Sequence, residues 1–129
     1  MKRILIVEDD DAIRRLIAAV LQRNGLEVLE ETTSEGAVAK LEADEADAVI
    51  LDLMILPHGG ASVLDWMEEE RKDLLSKTIV VSAAMPHEID MATRGRACSA
   101  IPKPFDIEQL VRTVFSCLGI PAPVGRAGK

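Results

Sequence analysis

The stretch AVILDLMILP, residues 48–57, decides how the chain folds. Apolar residues surround a single carboxylate, Asp52. Burying a lone carboxylate costs several kcal/mol or more unless something compensates it. A short apolar run that ends on an acid therefore reads as a buried strand with a purposeful charge at its carboxyl end.

Similar short runs recur on either side. They are ILIV (4–7), EVLE (27–30), AVIL (48–51), TIVV (78–81) and SAI (99–101). Their length and apolar content suit strands buried on both faces, as in parallel sheets. Helical patterns lie between them. Residues 11–23 put Ile13, Leu16, Ile17, Val20 and Leu21 on one face and Arg14, Arg15 and Arg23 elsewhere, before a stop at Asn24-Gly25. Ser34 is the expected cap of a second helix carrying Ala37, Val38 and Leu41. Residues 61–72 form a third, with Val63, Leu64 and Met67 on one stripe and Glu68–Lys72 as a supporting pair. Pro86 starts a short fourth helix running toward Arg94. Asp106 with Gln109 resembles a capping box before Ile107, Leu110, Val111, Val114 and Leu118, and Gly119 stands past the end.

Five β-α units of this size predict an α/β fold with a doubly wound parallel sheet and helices on both faces. A (β/α)8 barrel would need about twice the length. The 129 residues suit one domain, 1–120, followed by a tail or the start of a linker at 121–129, where PAPVGRAGK begins. The hydrophobic fraction is 48%, and with one Trp, two Phe and no Tyr the core must be aliphatic. Twenty-two acids against fifteen Lys and Arg give a net charge of −7, which disfavours nucleic-acid binding by this domain alone. No run approaches the roughly 20 apolar residues of a membrane span. No secretory signal is visible, so a cytoplasmic location is expected. Cys98 and Cys117 lack metal-site spacing and read as small core residues. His58 and His87 read as inert loop residues.

The polar residues fall at the carboxyl ends of the strands. The first ends in EDDD (8–11), the third at Asp52, the fourth at Ser82, and the fifth is followed by Lys103 in PKPF. In open α/β sheets ligands sit beyond those ends. Two carboxylates about 4 Å apart repel by roughly 4 kcal/mol at an effective dielectric near 20. Either one takes up a proton or a divalent cation neutralises the group. Oxygen-only ligands point to Mg2+. An ionised Asp52 beside a cation, Lys103 and the Ser82 hydroxyl could accept a phosphoryl group. Asp10 and Asp11 fit a plainer role, favouring the N-terminus of the first helix.

These residues, in this order, resemble the response-regulator receiver domain of two-component signalling. The resemblance runs from RILIVEDDDAIRRLI through DAVILDLM and TIVVSAA to IPKPFD, nearly the whole chain. It implies a flavodoxin-like (βα)5 fold, strand order 2-1-3-4-5, flanked by five helices. It implies Asp52 as phosphoacceptor, with Glu8, Asp9, Asp52 and the backbone carbonyl of Met54 around Mg2+. Ser82 matches the switch hydroxyl, Lys103 the family's lysine, and Lys103-Pro104 a position where the family usually has a cis bond. The implied donor is a histidine kinase or histidine phosphotransfer protein. The downstream protein or output domain is unknown, and the implied state is monomer or weak homodimer. Such a domain is a signalling phosphoacceptor, catalysing only its own phosphorylation and dephosphorylation.

Three positions depart from the family pattern. Ala100 stands where Tyr or Phe usually serves as the moving aromatic. Pro57 lies five residues past the acceptor rather than four. Arg96 precedes Ala97 where Gly is common. Ala100 supports an alternative, a phosphorylation-independent interaction module that keeps the acidic site. A phosphohydrolase would want a second acid two residues past its nucleophile, where Met54 stands. Met54 and Ala84 cannot orient a water by hydrogen bonding, so slow loss of any phosphate is expected.

Overall fold

The structure, a computed structural model, describes residues 2–122. Nearly all of the tail expected at 121–129 therefore lies outside the described residues. Five strands, β1 (Arg3–Val7), β2 (Glu27–Glu31), β3 (Ala48–Asp52), β4 (Thr78–Ser82) and β5 (Ser99–Pro102), form one parallel sheet in the order β2-β1-β3-β4-β5. The doubly wound arrangement is the expected one. Among the described residues there are six helices rather than five: α1 (Asp11–Arg23), α2 (Ser34–Glu42), α3 (Gly59–Glu70), α4 (Lys72–Leu75), α5 (Pro86–Thr93) and α6 (Ile107–Leu118).

Period-two alternation in the strands builds two cores. Ile4, Ile6 and Ile50 face α1 and α6, where Ile17, Leu21, Leu110 and Val114 bury against them. Leu5, Val7, Val49 and Leu51 face the other way, onto Ala37 and Leu41 of α2 and Val63, Leu64 and Met67 of α3. Both faces of β1, β3 and β4 are thus covered, which is why those strands read as unbroken apolar runs. The edge strands are less enclosed. β2 has only half-buried and exposed residues, and within β5 only Ile101 is buried.

Several local expectations give way to tertiary contacts. The extra helix arises because α3 stops at Glu70. The Arg71 guanidinium reaches the carbonyl of Leu41, Asp44 and Asp73, and the chain re-forms a single turn after it. Glu68 consequently pairs not with Lys72 but with Arg96, which also binds Asp65 at 2.7 Å. Arg96, the unusual residue ahead of β5, therefore fastens that loop to α3. The cap of α2 is Thr33, accepting from the N–H of Gly36, rather than Ser34. Ser34 is buried in the first turn, where its hydroxyl accepts from the N–H of His58 and its own N–H donates to the carbonyl of Leu56. It ties the loop after Asp52 to α2. Leu16, assigned to the apolar face of α1, is 52% exposed, whereas Arg14 is buried. Asp106 caps α6 through the N–H of Glu108.

Cys98 and Cys117 are not separate core residues. They form a disulfide across Cα atoms 6.2 Å apart, with Cys98 exposed and Cys117 buried. On a chain-entropy view, closing a loop of this size removes about 3 kcal/mol of unfolded-state freedom.

The loop from β3 to α3 brings helix and strand close together. The N–H of Gly60 donates to the carbonyl of Leu53 at 2.9 Å. A Cβ on Gly60 would lie 2.6 Å from the carbonyl oxygen of Asp52 and 2.7 Å from Cα of Leu53. Both obstacles are backbone and cannot swing aside. Gly60→Ala is expected to lower the free energy of unfolding by about 1–3 kcal/mol. Urea denaturation measures it, and an unchanged midpoint would contradict so close an approach.

Candidate functional site

The carboxyl edge of the sheet collects acids because β1 and β3 are neighbours and end level with one another, Val7 beside Leu51. The next residue on one is Glu8 and on the other Asp52. Both are buried, at 1% and 2% exposure, while Asp9 is exposed at the rim. Carboxylate oxygens of Glu8, Asp9 and Asp52 all lie within 4.8 Å of one another. At that separation each pair repels by about 3 kcal/mol at an effective dielectric of about 20.

Lys103 enters from the end of β5. Its Nζ donates to Oε1 of Glu8 at 2.8 Å and to Oδ2 of Asp52 at 3.2 Å. Its backbone N–H donates to the carbonyl of Ser82 at 2.8 Å, and the Lys103-Pro104 bond is cis. Three carboxylates against one ammonium leave two negative charges. Burial pulls the Lys103 ammonium down, but its hydrogen bond to Glu8 and the charges of Asp52 and Glu8 outweigh that, and its pKa is raised. Burial pushes the Glu8 carboxyl up, the Asp52 charge adds to the push, and hydrogen bonds from Lys103 and the N–H of Asp10 only partly offset it.

The remaining residues singled out in the sequence surround this core at different distances. The Met54 side chain is 60% exposed, and its N–H donates to Oδ1 of Asp52 at 3.0 Å. Both Asp52 oxygens are therefore oriented. Ser82 is fully buried, and its Oγ accepts from the N–H of Ala84 at 3.0 Å. Ala100 is exposed on β5, next to Val80 of β4. His58 is exposed near Glu35, and His87 is exposed on α5. Asp10 caps α1 by accepting from the N–H of Ile13. Leu56-Pro57, in the loop after the acceptor, is a second cis bond.

One supporting group was not legible as such. Arg14 lies on α1 with its guanidinium donating to the carbonyl of Glu8 at 3.1 Å and pairing with Glu30 at 2.9 Å and Asp11 at 2.7 Å. It braces the backbone that carries Glu8 and Asp9. The Asp11–Arg14 spacing of one helical turn was visible in the sequence. The partner on β2 depends on strand pairing, which spacing does not reveal.

The folded-state pKa of Glu8 lies above its ordinary value of 4.5. The folded chain thus holds a proton that the unfolded chain releases. The associated stability is complete below 4.5 and is lost as pH rises through the folded value. In a metal-chelating buffer, wild type is expected to lose stability relative to Glu8→Gln as pH rises from about 4.5 toward neutrality. Urea midpoints across that range check this, and a constant difference would contradict it.

The residues at 4–115 match the model of the response regulator receiver domain family. The chain is 32% identical over 117 residues to the phosphate regulon transcriptional regulatory protein PhoB of Escherichia coli, covering 88% of this chain and 50% of PhoB. It is 32% identical over 134 residues to the DNA-binding transcriptional regulator NtrC of Azospirillum brasilense, covering 96% of this chain and 27% of NtrC. The chain thus spans half or less of these two curated relatives. Among solved structures, the response regulator TrrA of Thermotoga maritima, in complex with Mg2+ and BeF, superposes with a TM-score of 0.81 at 30% identity, over 91% of this chain and 99% of that one. A CheY-like receiver domain protein of Methanospirillum hungatei superposes with a TM-score of 0.85 at 27% identity, over 92% and 94%. Among the described residues no helix is long and apolar enough to cross a membrane. The chain belongs to the response regulator receiver domain family of two-component systems.

Proposed function

We propose that the chain is a phosphoacceptor that takes a phosphoryl group onto Asp52 from a phosphohistidine on a histidine kinase or phosphotransfer protein. The single observation that carries this is the charge imbalance at the carboxyl edge. Three carboxylates, two of them buried, face one ammonium, and the excess of two negative charges suits one divalent cation. All the donors are oxygen, which suits Mg2+ rather than a softer metal. Glu8, Asp9, Asp52 and the carbonyl of Met54 are the groups that would hold it. The ion would supply charge neutralisation for the incoming phosphoryl oxygens.

The chain's own residues do the rest. A carboxylate oxygen of Asp52 attacks phosphorus. The new O–P bond forms as the N–P bond of the phosphohistidine breaks, and the imidazole leaves with the bonding pair and takes a proton. The N–H of Met54 and the ammonium of Lys103 fix the attacking carboxylate. Lys103 then shifts toward the phosphoryl oxygens, and the Ser82 hydroxyl exchanges its bond to Ala84 for one to the same group. Phosphoryl transfer asks mainly for positioning and charge neutralisation, which this set supplies. The product biases an existing equilibrium of the face formed by α5, β5 and α6 toward the form that engages a downstream protein or output domain. The cytoplasm is the expected setting, where such donors are found.

Ala100 favours a second reading. With no aromatic on β5, the chain would act as an interaction module whose partner binding ignores phosphorylation. Incubation with Mg2+ and acetyl phosphate, followed by intact mass spectrometry, tests the first reading. One phosphoryl group is expected on wild type and none on Asp52→Asn. No adduct on wild type would favour the second reading.

A further inference from the structure

The disulfide is chemistry that phosphoryl transfer does not use. It joins Cys98, one residue before β5, to Cys117 in the last turn of α6. The two ends differ in access: Cys98 is exposed and Cys117 is buried at 7%. β5 is an edge strand, hydrogen-bonded on one side only, to β4. It is short, and only one of its four residues is buried. The bridge is its covalent anchor at one end. At the other end Lys103 is held by Glu8 and Asp52. The closed loop therefore contains the whole strand and the lysine.

Opening the bridge removes little else. The N–H of Cys98 still donates to the carbonyl of Thr78, and α6 keeps Leu110 and Val114 fully buried against the sheet. Arg96 still fastens the preceding loop to α3. The bond is thus placed where it constrains an edge without being the only thing that holds the fold.

We propose that the Cys98–Cys117 pair is a thiol–disulfide exchange site, a redox-operated tether between β5 and α6. The co-reactant is a low-molecular-weight thiol or a dithiol protein. Its thiolate attacks the sulfur of Cys98, the more exposed residue of the pair, the S–S bond breaks, and Cys117 leaves as a thiolate that takes a proton. A second reductant thiol attacks the mixed disulfide and releases the Cys98 thiol and an oxidised reductant. Two electrons and two protons enter the pair, and a small disulfide returns it by the same steps. In a reducing compartment bridges of this kind are transient and serve redox sensing. The tether holds β5 and α6 close in the oxidised form and frees them in the reduced form. The consequence for signalling rests on the phosphoacceptor reading, because Lys103 ends the tethered strand.

The test uses the full chain without denaturant, poised with reduced and oxidised glutathione. Free thiols are trapped by alkylation and counted by intact mass, and amide hydrogen exchange is followed in both forms. The expected result is one reversible two-electron transition with unchanged far-ultraviolet circular dichroism. Amides of residues 99–101 and of the last turn of α6 should exchange about tenfold faster when reduced, with β1 and β3 unaltered. Resistance to dithiothreitol until urea is added would overturn the proposal, as would equal exchange in the two forms or failure of the bridge to form. Cys98→Ser should match the reduced wild type; if it does not fold, the wild-type comparison decides alone. Acetyl phosphate is added to both forms in parallel. Absence of an adduct on either form would remove the phosphoacceptor reading while leaving the tether intact.

Discussion

Everything at the carboxyl edge of the sheet depends on the Lys103 ammonium lying between two buried carboxylates. Without it, the buried carboxylates of Glu8 and Asp52 would face each other with no positive charge between them. Burial and the neighbouring charge would then push the Glu8 carboxyl further toward its protonated form. With it, one positive charge meets three carboxylates, and the remainder is the excess of negative charge on which the proposed function rests. The same lysine links the ends of three strands, since β1 carries Glu8, β3 carries Asp52 and β5 carries the lysine itself. A change in charge at Asp52 is therefore a change in how β5 is held.

The architecture was legible because it rests on short-range signals. Apolar runs of four or five residues, broken by helical periodicity, leave few alternatives to a doubly wound sheet. The acids, Ser82 and Lys103 were legible for a topological reason. Once the runs are strands of one parallel sheet, the residue after each run must fall on the same edge. Asp52 stood out on energetic grounds alone, as a charge among apolar neighbours.

What escaped the sequence depends on contacts between distant segments. Arg14 looks like a solvated residue of an amphipathic helix, yet it is buried against the carbonyl of Glu8 and the side chain of Glu30. Ser34 has the chemistry of a cap, but its neighbour Thr33 takes that place and Ser34 secures the loop after Asp52. Glu68 had a plausible partner one turn away and finds Arg96 instead. The disulfide was hidden for the same reason. The cysteines lie 19 positions apart, and only the return of α6 across the sheet brings them together.

The central claim is that this edge carries an excess of two negative charges that one divalent cation satisfies. Calorimetric titration with Mg2+ near neutral pH measures it directly. The account predicts one ion bound per chain, with affinity sharply weakened in Asp9→Ala, the exposed acid whose loss leaves the buried pair intact. No saturable binding to wild type, or equal affinity in the variant, would contradict it.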